Sequence, residues 1–426
     1  MNFIFQVLKN NKLSSYNDKI IVLIYGLIPI FLIIGTAISE IFIILLCLKF
    51  IIDFFLPKKA ASYNRGLLYF LILIYFVLLL NLIFSLNFEN SFSRNFFFFK
   101  YIFFVIGTIN HFSTRKNDFF LVIKIWTIII FFFSIDLLVQ FITNKNIVGM
   151  VSPIKYHRVS GFMGNELKAG SLILAFCFII YGYLIQYPKL KLLSNISIFF
   201  LILIIFLTGD RSNFFKSILV IIPLMIIFQK KDIFKNILFV LITAVLIFGI
   251  ITKNKVFNER FENQIFNQLY QNNFNIINYA KNTEYGKIYL SAFKLYNKKK
   301  IFGVGNKNYR IVCENNFEEK YALIKSDYNF KCNTHPHQIY FEILSEHGIL
   351  GVILLFICII TFIFQNLIYT IKYKDILLGG LFFSILITFI PLLPGGSFFT
   401  SFNATLFWLN ISFFYSYKNL MLRKNN

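Results

Sequence analysis

Apolar runs of about twenty residues recur along nearly the whole chain, and they constrain its fold more than any other feature. A helix needs roughly that length to cross a ~30 Å hydrocarbon core. Only helices and closed barrels satisfy their own backbone there. The runs do not alternate between apolar and polar positions, so they read as helices and not as barrel strands. Twelve are expected: 20–38, 40–56, 66–86, 96–110, 119–142, 169–187, 196–209, 212–228, 236–252, 349–369, 376–391 and 398–415. Of the 426 residues, 58 % are hydrophobic and 14 % charged. A soluble chain carries roughly a quarter charged residues, so the composition excludes a soluble protein. The expected fold class is an all-α polytopic membrane protein.

The formal net charge of +23 does not mark a nucleic-acid binder, because the basic residues fall in short clusters between the apolar runs. Lys and Arg in short loops orient a membrane protein. With the N-terminus inside, the inner segments carry Lys9, Lys12, Lys19, Lys58, Lys59, Arg65, Arg115, Lys116, Lys189, Lys191, Lys230, Lys231, Lys235, Lys372, Lys374, Lys418, Arg423 and Lys424. The outer short loops carry only Arg94, Lys145, Lys155, Arg158, Lys168 and Arg211. Both termini are therefore expected in the cytoplasm. The first run is too long for a signal peptide and is followed by eleven more, so it is read as an anchor.

One segment, 253–336, is far longer than the other connections and falls outside in this orientation. It divides the chain into nine spans over 1–252, a large external loop, and a region 337–426 with three more spans. The loop holds fourteen Lys and Arg against seven Asp and Glu, so an anionic ligand is the favoured reading over solvated charge. Within it, 284–299 reads as an amphipathic helix with Ile288, Phe293 and Leu295 among Tyr285, Tyr289 and Tyr296. Such a helix either lies on the membrane interface or packs on the bundle. Gly303-Val304-Gly305 is a lone GxG without a strand and helix around it, and reads as a turn. Cys47, Cys177 and Cys358 fall inside spans as small hydrophobes. Cys313 and Cys332 share the outer loop, where disulfides are permitted, and are expected to pair.

The stretch from Cys332 to Gly351 is the densest chemical signal. Pro336 suits a helix start and Gly348 a helix end, which places His337 in a first turn. There the helix dipole disfavours a protonated imidazole and favours an anion. A neutral histidine beside an anion suits general-base chemistry; the bland alternative is a polar helix start. A metal site from Cys332, His335, His337 and His347 lacks a carboxylate at a familiar spacing, and no metal or other cofactor is expected. Two further clusters fall on the same side: Arg158-Val-Ser-Gly161, and Thr208-Gly-Asp-Arg211-Ser-Asn213. Arginine at membrane depth is costly and usually functional, and its fork matches phosphate oxygens. Snorkelling to the interface, or pairing of Arg211 with Asp210, is the structural alternative.

Together these residues resemble the O-antigen ligase and polymerase superfamily. His337-Gln338, nine residues, then Gly348-x-x-Gly351 is similar to that family's histidine motif. Phe302-Gly-Val-Gly-Asn-Lys-Asn-Tyr-Arg310 resembles its segment after the loop helix, and Arg158-x-x-Gly161 and Thr208-Gly-Asp-Arg211-Ser its arginine motifs. The resemblance implies a GT-C-like glycosyltransferase architecture in the bacterial inner membrane, with a periplasmic active site. It implies metal-independent, inverting transfer from an undecaprenyl-pyrophosphate-linked glycan. The acceptor would be lipid A-core for a ligase, or a second lipid-linked glycan for a polymerase. A protein O-glycosylating relative is a lesser variant. His337 would be the base, and Arg158 and Arg211 would bind the pyrophosphate. Lys287, where the family often has arginine, would be a further contact, with Lys307, Arg310 and Gln338. A transporter or flippase would concentrate ionisable groups on broken mid-membrane helices in repeated halves. Here Lys100, Lys124, Asp136 and Lys216 are scattered. Besides membrane lipids these are the only partners expected; nucleic acid is not among them.

Overall fold

The computed structural model describes residues 16–55, 65–152, 158–229, 233–271, 282–314 and 330–425, with the single positions 274, 275 and 278. Lys9, Lys12, Lys58, Lys59, Lys155, Lys230 and Lys231, used above for orientation, lie outside the described residues. Among the described residues there is no sheet, only an isolated bridge between Lys145 and Val151. The helices are α1 (Tyr16–Ile34), α2 (Thr36–Phe55), α3 (Arg65–Ile83), α4 (Phe88–Phe96), α5 (Phe99–Phe112), α6 (Lys116–Thr143), α7 (Ala169–Ile185), α8 (Lys191–Leu207) and α9 (Arg211–Phe228). They continue as α10 (Ile233–Lys253), α11 (Lys255–Asn258), α12 (Glu284–Lys298), α13 (Tyr309–Glu314), α14 (Ile339–Tyr373), α15 (Ile376–Leu386) and α16 (Ser401–Asn425). Each of the twelve expected runs coincides with a helix. Seven are long and apolar enough by themselves to cross a membrane, and α7 and α15 are shorter apolar helices. The chain is an all-α polytopic membrane protein.

The exposed faces show which solvent the bundle is built for. Along α14, Ile353, Ile357, Ile360, Phe364, Ile368 and Ile371 are all exposed, three or four residues apart and so on one side of the helix. On α10, Ile237, Leu238, Leu241, Val245 and Phe248 are exposed likewise. Such continuous apolar stripes are untenable in water and ordinary against lipid. The interior is packed just as apolar: α7 lies between α8 and α15, and Phe176, Phe178, Leu201, Phe206, Leu381 and Phe382 are buried there.

The run at 96–110 falls in α5, with the short α4, capped by Asn87, before it. Gly348 ends the histidine helix as expected: its φ of 65° and ψ of −161° are non-helical, and the following span begins directly after it, so that α14 is two helices meeting at a kink. The break frees the carbonyls of Ser345 and Glu346, which accept from Val304 N (2.9 Å) and Gly305 N (2.9 Å). The amides of Ile349 and Leu350 in turn donate to Lys300 O (2.8 Å) and Ile301 O (3.4 Å). A Cβ at Gly348 would stand 2.3 Å from Ile301 O, so only glycine admits this contact. The Gly-Val-Gly turn is thus a strap bound into a helix break.

The amphipathic segment, α12, packs on the bundle. Ile288, Ala292 and Leu295 form a cluster with Val304, Tyr309, Val312 and Cys313, with Phe341 of α14 against it. Cys313 and Cys332 are joined as a disulfide, with Cα atoms 5.6 Å apart. It ties α13 to the strand-like approach to His335 and His337.

Candidate active site at the insertion-bearing end of the bundle

The tight turn between α8 and α9 organises one half of the site. Helix α8 stops at Leu207, Gly209 turns with φ +71°, and the Asp210 side chain caps α9 by accepting from Asn213 N at 3.3 Å. Gly209 presents its carbonyl outward, and Arg260 Nη2 donates to it at 2.9 Å. Arg158 Nη2 pairs with Asp210 Oδ2 at 3.1 Å and donates to Leu167 O at 3.2 Å. Arg211 does not pair with Asp210. Its guanidinium reaches the other way, and Nη1 donates to Arg260 O at 2.8 Å.

Arg260 was not anticipated as a site residue. It sits on the π-helical segment Glu259–Asn267 that follows α11, the kind of helix irregularity that clusters at functional sites. The segment is anchored because Asn254 accepts from Val256 N (3.0 Å) and Phe257 N (3.4 Å). Phe257 and Phe261 are buried against Phe206, with ring centroids at 5.0 and 4.9 Å. That packing turns Arg260 back over the α8–α9 turn. Burial, then the neighbouring guanidiniums of Arg211 and Arg158, lower its pKa to about 10, so it remains charged at neutral pH. Three guanidiniums gather at the α8–α9 turn, one of them paired with Asp210, and guanidinium forks suit phosphate.

The other half is built on the start of α14. Pro336 does not open the helix. Gln338 is the N-cap, accepting from Tyr340 N (2.8 Å) and Phe341 N (3.2 Å), so its side chain is engaged in capping. His337 precedes the cap, in the left-handed region with φ +58°. Its carbonyl accepts from Gly395 N at 2.6 Å, and the Gly395 carbonyl accepts from His335 Nε2 at 3.4 Å. The two imidazole centroids are 3.9 Å apart. Burial lowers the pKa of both, His335 to about 4 with the charges of His337 and Arg94 adding to it. Burial thus disfavours a protonated His337, where the expected cause was a helix dipole.

Tyr285 joins the halves. Its ring meets that of His337 edge-on at 5.7 Å, and it lies within electrostatic reach of Arg260. It stands there because Tyr289 stacks on Phe341 at 4.6 Å, fixing α12 beside the head of α14. Arg158, Arg211, Arg260, Tyr285 and His337 thus face one region. Other expected contacts lie apart from it. Arg310 is exposed and pairs with Glu314 at 3.1 Å. Lys307 is exposed on a turn with φ +68°. Lys287 is half-buried on α12, where its carbonyl accepts from Ser291 Oγ at 3.0 Å. Among the described residues no group of three or more His, Cys, Asp or Glu side chains is arranged to hold a metal ion.

The class is therefore a multi-pass α-helical membrane protein with an arginine- and histidine-bearing site at one end of its bundle. Residues 196–356 match the O-antigen ligase family, Wzy_C, and that match supports the resemblance to the O-antigen ligase superfamily. The matched segment runs from α8 into α14 and includes Arg211, Arg260, Tyr285 and His337. No curated protein matches the chain. The family comprises membrane glycosyltransferase-like enzymes, ligases and polymerases, that act on lipid-linked glycans.

Proposed function

We propose that the protein transfers a glycan from an undecaprenyl-pyrophosphate carrier to a lipid-borne acceptor hydroxyl, as a ligase acting on lipid A-core. Transfer takes place at the periplasmic face of the inner membrane. The observation that carries this reading is the convergence of Arg158, Arg211 and Arg260 on one turn, beside Tyr285 and His337. A glycosyl pyrophosphate leaves as an anion. Preorganised cations aimed at that developing charge stabilise the transition state most where water is scarce. In this role the guanidiniums supply the charge neutralisation that a metal ion provides elsewhere, so transfer is metal-independent.

His337, neutral at working pH, takes the acceptor proton as its oxygen attacks the anomeric carbon. The glycosyl–phosphate bond breaks, the pyrophosphate departs into the arginine cluster, and configuration inverts in a single displacement. An apolar cavity of about 540 Å³ between α3, α14 and α16, headed by His347, supports a lipid-borne substrate.

The test is a reconstituted transfer assay with chelator present and lipid A-core added or omitted, using wild type and His337→Ala. A well-placed general base contributes about 10²–10⁴-fold, and a loss of that size is expected on alanine substitution. Glycan on lipid A-core alone supports a ligase. Longer lipid-linked glycans formed without lipid A-core make the protein a polymerase. Full activity of His337→Ala overturns the assignment of the base.

A further inference from the structure

We propose that Glu342 is a positioning residue for His337, acting through the turn 394–398; this rests on the reading of His337 as the base. Glu342 is 1 % exposed and lies just over one helical turn beyond His337, on a helix whose N-terminal end favours a negative charge. It does not touch the imidazole. Both of its oxygens are used by the turn opposite: Ser397 Oγ donates to Oε1, and Phe398 N donates to Oε2 at 2.9 Å. Each oxygen thus accepts one hydrogen bond from that turn.

Two residues upstream on the same turn, Gly395 donates to the His337 carbonyl at 2.6 Å and accepts from His335. Carboxylate, turn and histidine backbone form one connected chain. The turn is steadied from its other faces as well. Arg94 Nη1 reaches Ser397 Oγ at 3.5 Å, Asn403 Nδ2 donates to Ser397 O at 2.8 Å, and the buried Lys216 Nζ lies 3.5 Å from Pro394 O. His337 holds φ +58°, a conformation that a non-glycine residue keeps only when its surroundings over-determine it. The tether from Gly395 acts directly on that residue, and Glu342 fixes where the tether stands. Lys216 shares α9 with Arg211 and the capping Asp210, so the turn also sets the base in register with the arginine cluster.

The test uses the full-length protein in the reconstituted assay, with Glu342→Gln, Ser397→Ala, His337→Ala and both double variants. Glutamine keeps the shape and replaces one acceptor by a donor facing a donor. Glu342→Gln is expected to lower kcat about tenfold or more, as misplacement near an ångström does, with the donor KM within about twofold. The acidic limb of its pH profile should also move up towards the ordinary histidine value of about 6.5 as His337 gains solvent. The titratable groups against His337 are His335 and Tyr285 on α12, with the charge of Arg94 on α4 acting on His335. Replacing only Glu342 separates its contribution to that limb from theirs.

In the His337→Ala background, Glu342→Gln should cost nothing further. Ser397→Ala removes one of the two donors and should show the same pattern more weakly, which keeps the test intact if Glu342→Gln does not fold. An unshifted pH profile overturns the proposal, as does an equal loss with and without His337. If His337→Ala is inactive while Glu342→Gln matches wild type, the positioning role fails and the base stands. If His337→Ala is fully active, the reading of the base itself fails.

Discussion

At the scale of residues, Asp210 stands among three guanidiniums that are held in different ways. Arg158 pairs with the carboxylate, Arg211 donates to the Arg260 carbonyl, and Arg260 donates to the Gly209 carbonyl. Arg260→Lys keeps the charge and loses the fork. It is expected to lower kcat/KM by about tenfold, and Arg260→Ala by about a hundredfold, near 1.4 and 2.7 kcal/mol; steady-state kinetics on the lipid-linked donor check this. The histidines give a pH prediction with a definite sign. Their folded pKa values lie below the unfolded value near 6.5, so the unfolded chain binds more protons over that range. Stability therefore falls as pH drops from about 6.5 towards 4, and activity falls with it as His337 becomes protonated. Thermal melts across that range, compared with those of His335→Gln, should show the variant losing less. Arg158, Arg211 and His337 were legible from motifs. Arg260 was not, because a single arginine in a basic loop carries no spacing signal until Phe257 and Phe261 pack it over the turn.

Elements bring out what the glycines do. Gly348 ends one helix as expected, and the kink it makes with the next lets another segment bind into the gap. Gly303, with φ +67°, approaches just as closely, since a Cβ there would stand 2.5 Å from Glu346 C. The fixed glycine of the histidine motif is thereby explained as a contact between α14 and the end of α12's connection. Gly348→Ala meets both a left-handed φ and the Ile301 carbonyl, and is expected to destabilise by about 2 kcal/mol or more. Loss of the strap should also release α12 and, with it, Tyr285. A lowered melting temperature with faster proteolysis between α12 and α14 is the expected signature. The left-open choice for the amphipathic helix is settled by the same packing: Ile288, Ala292 and Leu295 are covered by protein and not by lipid. Periodicity identifies such a face but not what it meets.

Across the whole molecule, the bias of Lys and Arg predicts the sidedness that the proposed reaction requires. Single cysteines introduced at Tyr270, ten residues beyond Arg260, and at Leu422, near the end of α16, are both at exposed positions. In a background lacking Cys47, Cys177 and Cys358, which keeps only the disulfide pair Cys313 and Cys332, an impermeant thiol reagent should label the first in intact cells and the second only after permeabilisation. The reverse pattern would put the site in the cytoplasm and remove the proposed donor. Two of the scattered ionisable residues that argued against a transporter have local partners: Lys100 pairs with Glu40, and Asp136 accepts from Ile147 N at 2.9 Å.

The helical class is written in the chain because it rests on a local quantity, a run's length against the thickness of a bilayer, and charge on the flanks of the runs gives an expected sidedness in the same way. The histidine and two arginines were likewise readable, since short motifs keep their spacing whatever surrounds them. The third arginine, the tyrosine between the two halves, and the carboxylate that holds the turn against His337 come from segments tens to hundreds of positions apart. Their contacts depend on which apolar faces cover one another. That choice is made by packing over the whole bundle, and no local pattern encodes it.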